Sequence, residues 1–289
     1  MKISLKVLKH NCSKKIKNGG NKMERIKYLI YRPAGNDTAL VYGTNYTKEM
    51  KKKINDSIMK KHRNVEQVGF INNIGRKELQ MAGGEFCGNA TRSAVHNYLE
   101  GMPGKIQISV NSKDLILAGV DKNKNAWCEI PLYKQNNIIK EKENGIFIVE
   151  LKGITVIVIK EVEAQKYLKN KDNLKQIGKK LIVDYNLINN SAVGVMFCEK
   201  EAENEKIKIN PIVWVKDIDT LFYETACGSG SVAVCLVESY LKKQGQKIDI
   251  IQPSGLTITA NVDYKENNFE RAIISGNIEN DGKTYELDL

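Results

Sequence analysis

The segment Phe86-Cys87-Gly88-Asn89-Ala90-Thr91 decides the fold, because its pattern returns in the second half of the chain as Ala226-Cys227-Gly228-Ser229-Gly230-Ser231. In both segments a cysteine is followed by a glycine, a polar residue, a small residue and a residue with a hydroxyl side chain. Both are followed by apolar sequence with helical character. The repeat predicts two similar halves, each with a cysteine at the N-terminus of a helix.

Short β segments dominate the sequence outside these two helices. β-branched residues at period two, broken by Gly, Asn and Asp, predict strands at 28–31, 106–110, 146–149, 155–159 and 256–259. Helices are predicted at about 46–59, 89–99, 166–181 in pieces, and 229–243. The last helix is apolar on nearly all sides, so we expect it to be buried. We therefore predict an α/β (α+β) fold of two pseudo-symmetric domains, each a curved, mostly antiparallel sheet around a central helix.

The predicted domains follow from this repeat. Residues 1–22 are basic and lack apolar periodicity, and we expect a disordered tail there. The first domain is predicted at 23–137 and the second at 138–279, with the polar stretch 134–144 as the linker. The C-terminal strand, 280–289, is expected to return to the first domain.

Composition narrows the class of protein. With 42% hydrophobic and 27% charged residues, the chain has the composition of a globular protein. The net charge of +11 comes mostly from lysines scattered among asparagines, which is not the clustered pattern of a nucleic-acid-binding protein. No apolar run is long enough to span a membrane, and no secretory signal is recognisable. We expect a cytoplasmic protein with reduced thiols, and the sequence leaves open whether it forms a homodimer.

The six cysteines differ in what their surroundings predict. Cys128, Cys198 and Cys235 lie in strand-like or buried helical sequence and are expected to be core residues, and Cys12 lies in the tail. With three histidines and no closely spaced cysteine pair, a metal site is not expected. Cys87 and Cys227 remain as candidate catalytic residues.

A cysteine at a helix N-terminus has two chemical consequences. The unpaired N–H groups and the helix dipole favour a thiolate, and the same N–H groups bind an anion such as a carboxylate. If the two halves face each other, an amino acid held by its carboxylate has its Cα between Cys87 and Cys227. One thiolate then removes the α-proton and the opposite thiol returns one, which is amino-acid racemisation or epimerisation by general acid–base catalysis. Glu224, and less favourably Glu85, is a candidate partner for the substrate's ammonium or for an imidazole, although a carboxylate in the first turn can also simply answer the helix dipole.

The motifs resemble those of the diaminopimelate epimerase-like superfamily of cofactor-independent racemases, and within it the histidine racemases of metallophore pathways. The matching segments, in family order, are 33–37, 66–70, 84–91, 224–230 and 252–255. The resemblance implies that Cys87 and Cys227 are the two bases and that the enzyme needs no cofactor. It also implies a set of residues that line the substrate site: Asn36, Gln67, Gly88, Asn89, Gly228 and Ser229.

The sequence departs from the diaminopimelate epimerase pattern at positions that would bind the far end of that substrate. In diaminopimelate epimerases an Arg after a Glu holds the second amino-acid head of the substrate, but Ile218 and Asp219 stand at these positions. The family's Gly-Asn-Pro-His segment is replaced by 152–155. A distal carboxylate would lose its partners, at a cost of several kcal/mol. The resemblance therefore favours histidine, with diaminopimelate as the alternative.

Three other interpretations stay open at this point. A non-enzymatic amino-acid-binding or thiol redox-sensing module could use the same two cysteines. The segment 228–233 also fits a dinucleotide-binding pattern, although that pattern does not explain the second cysteine motif. A proline-racemase-like relative is disfavoured because Asn89 stands where those enzymes usually have His.

Overall fold

A computed structural model of the protein describes residues 25–289, except 73–74, 113, 134–136, 144 and 202–205. The predicted basic tail, with Cys12, lies outside the described residues. The helices are α1 (Lys48–Lys61), α2 (Gly88–Tyr98), α3 (Glu161–Leu168), α4 (Leu174–Asp184) and α5 (Gly228–Lys242), with a short 3-10 turn at Lys171–Asn173.

The strands alternate with these helices along the chain. Those of the first half are β1 (Arg25–Pro33), β2 (Asp37–Tyr42), β3 (Val65–Ile71), β4 (Glu78–Met81), β5 (Gly104–Val110), β6 (Asp114–Val120) and β7 (Ala126–Glu129). Those of the second half are β8 (Ile139–Glu143), β9 (Ile146–Leu151), β10 (Ile154–Ile159), β11 (Ala192–Lys200), β12 (Ile207–Val215), β13 (Thr220–Tyr223), β14 (Gln246–Ile251), β15 (Thr257–Lys265) and β16 (Asn268–Gly276). Two short strands end the chain, β17 (Ile278–Asn280) and β18 (Tyr285–Asp288).

Strand pairing repeats between the two halves. In the first half β1–β2 is antiparallel, β2–β3 parallel, β3–β4 antiparallel and β4–β5 parallel, followed by antiparallel β5–β6 and β6–β7. The second half gives the same order with β9–β10, β10–β11, β11–β12, β12–β14, β14–β15 and β15–β16. The predicted fold class, a mixed and mostly antiparallel arrangement with an internal repeat, is confirmed.

One helix occupies the middle of each half. α2 packs against strands of the first half, including β1, β2, β6 and β7, while α5 packs against β10, β14, β15 and β16. Every residue from Gly88 to Val95 in α2 is buried, and so is every residue from Gly228 to Ser239 in α5. Because both helices are surrounded by strands, their N-termini are fixed in position relative to the sheet.

Two sets of strand pairs connect the halves and hold the C-terminus. β7 of the first half pairs antiparallel with β16 of the second, with Cys128 opposite Ile274. The last two strands, β17 and β18, both pair antiparallel with β1. The C-terminal segment therefore lies against the first half.

The stretch predicted as a linker contains a strand. β8 pairs antiparallel with β9, although four of its five residues are exposed. Its sequence, Ile139-Lys140-Glu141-Lys142-Glu143, has almost no apolar alternation because the strand has no buried face. Backbone hydrogen bonding alone defines this strand, and the hydrophobic pattern does not reveal it.

Candidate active site

Cys87 and Cys227 occupy equivalent positions on the two central helices. Each is the N-cap of its helix with extended backbone angles, φ −123° and ψ 111° for Cys87 and φ −128° and ψ 107° for Cys227. Each sulfur accepts a hydrogen bond from the backbone N–H three residues on, Ala90 or Gly230, at 3.4 Å. The two motifs thus build the same local structure twice.

The two helix N-termini approach each other closely, and glycine makes this approach feasible. A Cβ built at Gly88 would lie 2.5 Å from Ile274 Cδ1, and one built at Gly228 would lie 2.7 Å from the same atom. The Cβ at Gly228 would also lie 3.1 Å from Asn89 Oδ1 and 3.5 Å from the Asn89 backbone nitrogen. A side chain after either cysteine would therefore displace the end of the Ile274 side chain, and the first turns of the two helices face one another across a narrow gap.

A cavity of about 30 Å³ lies between the helix ends, enough for about one or two water molecules. Six of the residues expected in the site line it together with both cysteines, namely Gln67, Gly88, Asn89, Glu224, Gly228 and Ser229. The remaining walls come mainly from β3, β10, β12, β13 and the loop before α2: Glu66, Val68, Ala82, Glu85, Phe86, Ile154, Val213, Val215, Ile218, Thr220 and Phe222.

A chain of hydrogen bonds runs from one cysteine to the other. The Cys87 thiol donates to Gln67 Oε1 at 3.2 Å, and Gln67 Nε2 donates to Glu224 Oε1 at 2.9 Å. Glu224 in turn accepts a hydrogen bond from the Cys227 thiol. The two thiols therefore have different neighbours, since Cys87 contacts a neutral amide and Cys227 contacts a carboxyl group.

Asn36 is buried and does not line the cavity. Its Nδ2 donates to the Ala226 carbonyl at 3.1 Å and also to Glu66. Asn89 Nδ2 donates to the same Ala226 carbonyl at 2.8 Å. These two amides, one from each side, fix the peptide immediately before Cys227.

Arg92 lies fully buried one turn into α2. Its Nη2 donates to Asn89 Oδ1 at 2.9 Å, while Nε and Nη1 have no hydrogen-bond partner among the described residues. Burial lowers the pKa of Arg92 to about 10. The guanidinium orients Asn89 and places a positive charge close to the helix end that carries Cys87.

Three buried carboxyl groups surround the cavity. Burial raises the pKa of Glu66 to about 7 and that of Glu85 to about 7. Burial, with the neighbouring charge of Glu66, raises the pKa of Glu224 to about 8. The site therefore has an acidic character, and its carboxyl groups titrate near neutral pH.

Burial also dominates the ionisation of the two cysteines. It raises the pKa of both thiols, and the nearby carboxylate of Glu224 raises them further. The N–H groups of Ala90 and Gly230 act in the opposite direction but do not compensate. The expectation of lowered thiol pKa values is therefore wrong for this closed site, because the helix N-terminus is removed from water.

The sequence of the chain is similar to those of known proteins over most of its length. A model described as the histidine racemase CntK N-terminal domain matches residues 25–285. A histidine racemase of Fusobacterium nucleatum is 30% identical over 251 residues, covering 81% of this chain and 89% of that protein. The chain belongs to the histidine racemase family. The resemblance inferred from the cysteine motifs is confirmed, and the protein is an isomerase.

Two solved structures share the fold of this histidine racemase family member. A hydroxyproline epimerase from Agrobacterium vitis superposes with a TM-score of 0.60 at 11% identity, covering 92% of this chain and 93% of that one. A Bacillus anthracis phenazine biosynthesis protein of the PhzF family gives a TM-score of 0.59 at 13% identity, covering 92% and 100%. At these identities the likeness is one of fold.

Two polar residues of the site were not predicted from the sequence. Glu66 adjoins Gln67 in a recognised motif, but no spacing rule shows that its carboxylate turns toward Thr225, whose N–H it accepts at 3.1 Å. Arginine is rarely buried, so the sequence gives no sign that the Arg92 side chain lies inside the protein. Its burial follows from the strands that surround α2.

The described residues contain no group of three or more His, Cys, Asp or Glu side chains that could hold a metal ion. No helix in the described ranges has both the length and the apolar character to cross a membrane.

Proposed function

We propose that the protein is a histidine racemase that inverts the α-carbon by moving a proton between Cys87 and Cys227 without a cofactor. The observation that carries this proposal is the pair of cysteine N-caps on two helices that end at one cavity. Family membership supports the racemase chemistry and the choice of histidine.

The substrate carboxylate binds at the two helix N-termini in this proposal. The first turn of a helix carries N–H groups that have no partner within the helix, and the helix dipole adds partial positive charge. Gly88, Gly228 and Ser229 present these groups to the cavity. The same donors stabilise the negative charge that develops on the carboxylate when the α-proton leaves.

Proton transfer then follows from the position of the two sulfurs. A thiolate forms an S–H bond as the Cα–H bond breaks, and the electron pair moves into the carboxylate. The opposite thiol gives its proton to the other face of Cα and becomes a thiolate. The proton count of the enzyme is unchanged, and Cys87 and Cys227 have exchanged roles. Because burial raises the thiol pKa, each thiolate is a strong base, as the weakly acidic Cα–H requires.

The remaining polar residues bind the substrate or position the groups that do. Glu224, beside Cys227, is the partner we assign to the substrate's α-ammonium. Gln67 and Asn89 line the cavity and orient Glu224 and the peptide before Cys227, respectively. Asn36, which does not line the cavity, holds the same peptide by a hydrogen bond to the Ala226 carbonyl. An amino acid is larger than the cavity, so we expect the walls to separate when the substrate enters.

The lining of the cavity supports histidine over diaminopimelate. A second carboxylate on the substrate needs a cationic partner, but the described lining residues contain no Lys, Arg or His. They contain three carboxyl groups instead, Glu66, Glu85 and Glu224. A substrate side chain that donates hydrogen bonds suits this wall, whereas one that carries negative charge is repelled by it.

A substrate panel in heavy water tests the proposal. We expect L-histidine and D-histidine each to give a mixture of both enantiomers, with deuterium at Cα, by chiral chromatography and mass spectrometry. Diaminopimelate and alanine should exchange far more slowly. Failure of every amino acid to acquire deuterium would contradict the proposal. Rapid exchange of diaminopimelate alone would show that the protein is a diaminopimelate epimerase instead.

A further inference from the structure

Glu85 is held rigidly at the edge of the cavity. It belongs to the loop between β4 and α2, two residues before Cys87, and its side chain is only 7% exposed. Asn111 anchors the loop, because its Nδ2 donates to the carbonyls of Gly84 at 3.1 Å and Glu85 at 2.5 Å. The loop therefore presents the Glu85 carboxyl group in one fixed place.

One oxygen of this carboxyl group lacks a partner. Glu85 Oε2 is buried without a hydrogen bond to any described residue. In contrast, Glu66 accepts hydrogen bonds from the Thr225 N–H and Asn36, and Glu224 accepts them from Gln67 and Cys227. A buried oxygen with no hydrogen bond costs roughly 1–3 kcal/mol. Of the three carboxyl groups that line the cavity, Glu85 is the one with a buried oxygen that has no hydrogen-bond partner among the described residues.

Apolar side chains of Val215 and Ile218 lie close to this oxygen. A Cβ built at Gly83 would lie 2.7 Å from Glu85 Oε2, 2.5 Å from Val215 Cγ1 and 3.5 Å from Ile218 Cγ1. The oxygen therefore lies beside the apolar wall formed by the end of β12 and the turn to β13. This wall suits the faces of a flat ring, and the oxygen suits a hydrogen-bond donor at the edge of that ring.

We infer that Glu85 is a substrate-binding residue whose Oε2 accepts a hydrogen bond from an imidazole N–H of the bound histidine. The inference rests on the proposed function and adds the specificity for the side chain. Glu85 Oε2 would then have a hydrogen-bond partner only when the imidazole ring is bound. A site that contains such an acceptor rejects a ring of equal size that has no N–H.

The test compares histidine with β-(2-thienyl)alanine, whose ring has similar size and no N–H. In the wild-type protein we expect the inhibition constant of the thienyl compound to exceed the KM for L-histidine at least tenfold. In Glu85→Leu, which has no hydrogen-bond acceptor, we expect the KM for histidine to rise and this ratio to fall to about two or less. A surface control, Glu150→Leu on β9, should keep the wild-type ratio.

The outcomes separate the two proposals. If the wild-type protein does not racemise histidine, the proposed function fails. If it does, but binds the thienyl compound as well as histidine, the assignment of Glu85 fails whether or not the variant folds. An unchanged ratio in a folded Glu85→Leu protein also overturns it. A general structural defect would change both constants together and would leave the ratio at its wild-type value.

Discussion

Gln67 Nε2 donates a hydrogen bond to Glu224 Oε1 at 2.9 Å, and Gln67 Oε1 accepts one from the Cys87 thiol. One amide side chain therefore connects Cys87 with the carboxyl group beside Cys227. Gln67 extends from β3 in the first half of the chain, whereas Glu224 follows β13 in the second. The contact therefore crosses the cavity, and its loss would affect both sides of the site.

Replacing Gln67 by Leu is expected to reduce racemisation. A hydrogen bond to a charged group contributes about 1.5–3 kcal/mol, so above pH 8, where Glu224 is ionised, kcat/KM should fall roughly 10- to 100-fold. Initial rates of histidine racemisation by polarimetry measure this. Gln107→Leu, at an exposed position on β5, is the matched control. A Gln67→Leu enzyme with the wild-type rate would show that the bridge has no part in catalysis.

The central part of this site could be predicted from the sequence because it is local. The cysteine, the glycine after it and the start of the helix follow one another along the chain, and the physics of a helix N-terminus depends on that order. The internal repeat then indicated that two such sites exist. The strand pairs show how they come together, with β7 of one half joined to β16 of the other.

The electrostatics of the site could not be predicted in the same way. The sign of the thiol pKa shift depends on how much water reaches the helix end, and this is decided by distant strands. Arg92, Glu66 and Glu85 are buried by residues that lie far from them in sequence. The Glu85 oxygen is a similar case, since its lack of a partner is a property of the assembled walls.

Glu85→Gln should stabilise the protein above pH 4.5, with the gain nearly complete by pH 7. Burial raises the pKa of Glu85 to about 7, above its usual value of 4.5. Below pH 4.5 the group is protonated in both the folded and the unfolded state. Between pH 4.5 and 7 the unfolded state releases this proton while the folded state keeps it, so the unfolding free energy falls; above pH 7 both states are ionised and the loss is complete. The wild-type protein therefore loses roughly 3 kcal/mol of unfolding free energy from this group between pH 4.5 and 8. The glutamine variant has no such proton to lose.

Denaturant unfolding at pH 5 and pH 8 measures the difference. The gain in unfolding free energy of Glu85→Gln over wild type should be small at pH 5 and should grow by pH 8, while Glu150→Gln stays equal to wild type at both. A gain that is the same at both pH values would mean that Glu85 does not titrate in this range.

Thiol alkylation reports the sign of the cysteine pKa shifts. Because burial raises the pKa of Cys87 and Cys227, few thiolates exist near neutral pH. Their rates of reaction with iodoacetamide, followed by peptide mass spectrometry in the absence of substrate, should rise roughly tenfold per pH unit between pH 7 and 9. Rates that do not change over this range would indicate lowered pKa values, as the helix ends alone predict.

Exchange of the histidine α-proton in heavy water by the single variants Cys87→Ser and Cys227→Ser tests the two-cysteine account most directly. The account predicts that each variant loses racemisation by at least 100-fold, because inversion needs a group on both faces of Cα. Cys198→Ala, which removes a buried thiol from β11 outside the cavity, should racemise like wild type. If either serine variant inverts histidine at the wild-type rate, Cys87 and Cys227 are not the two bases.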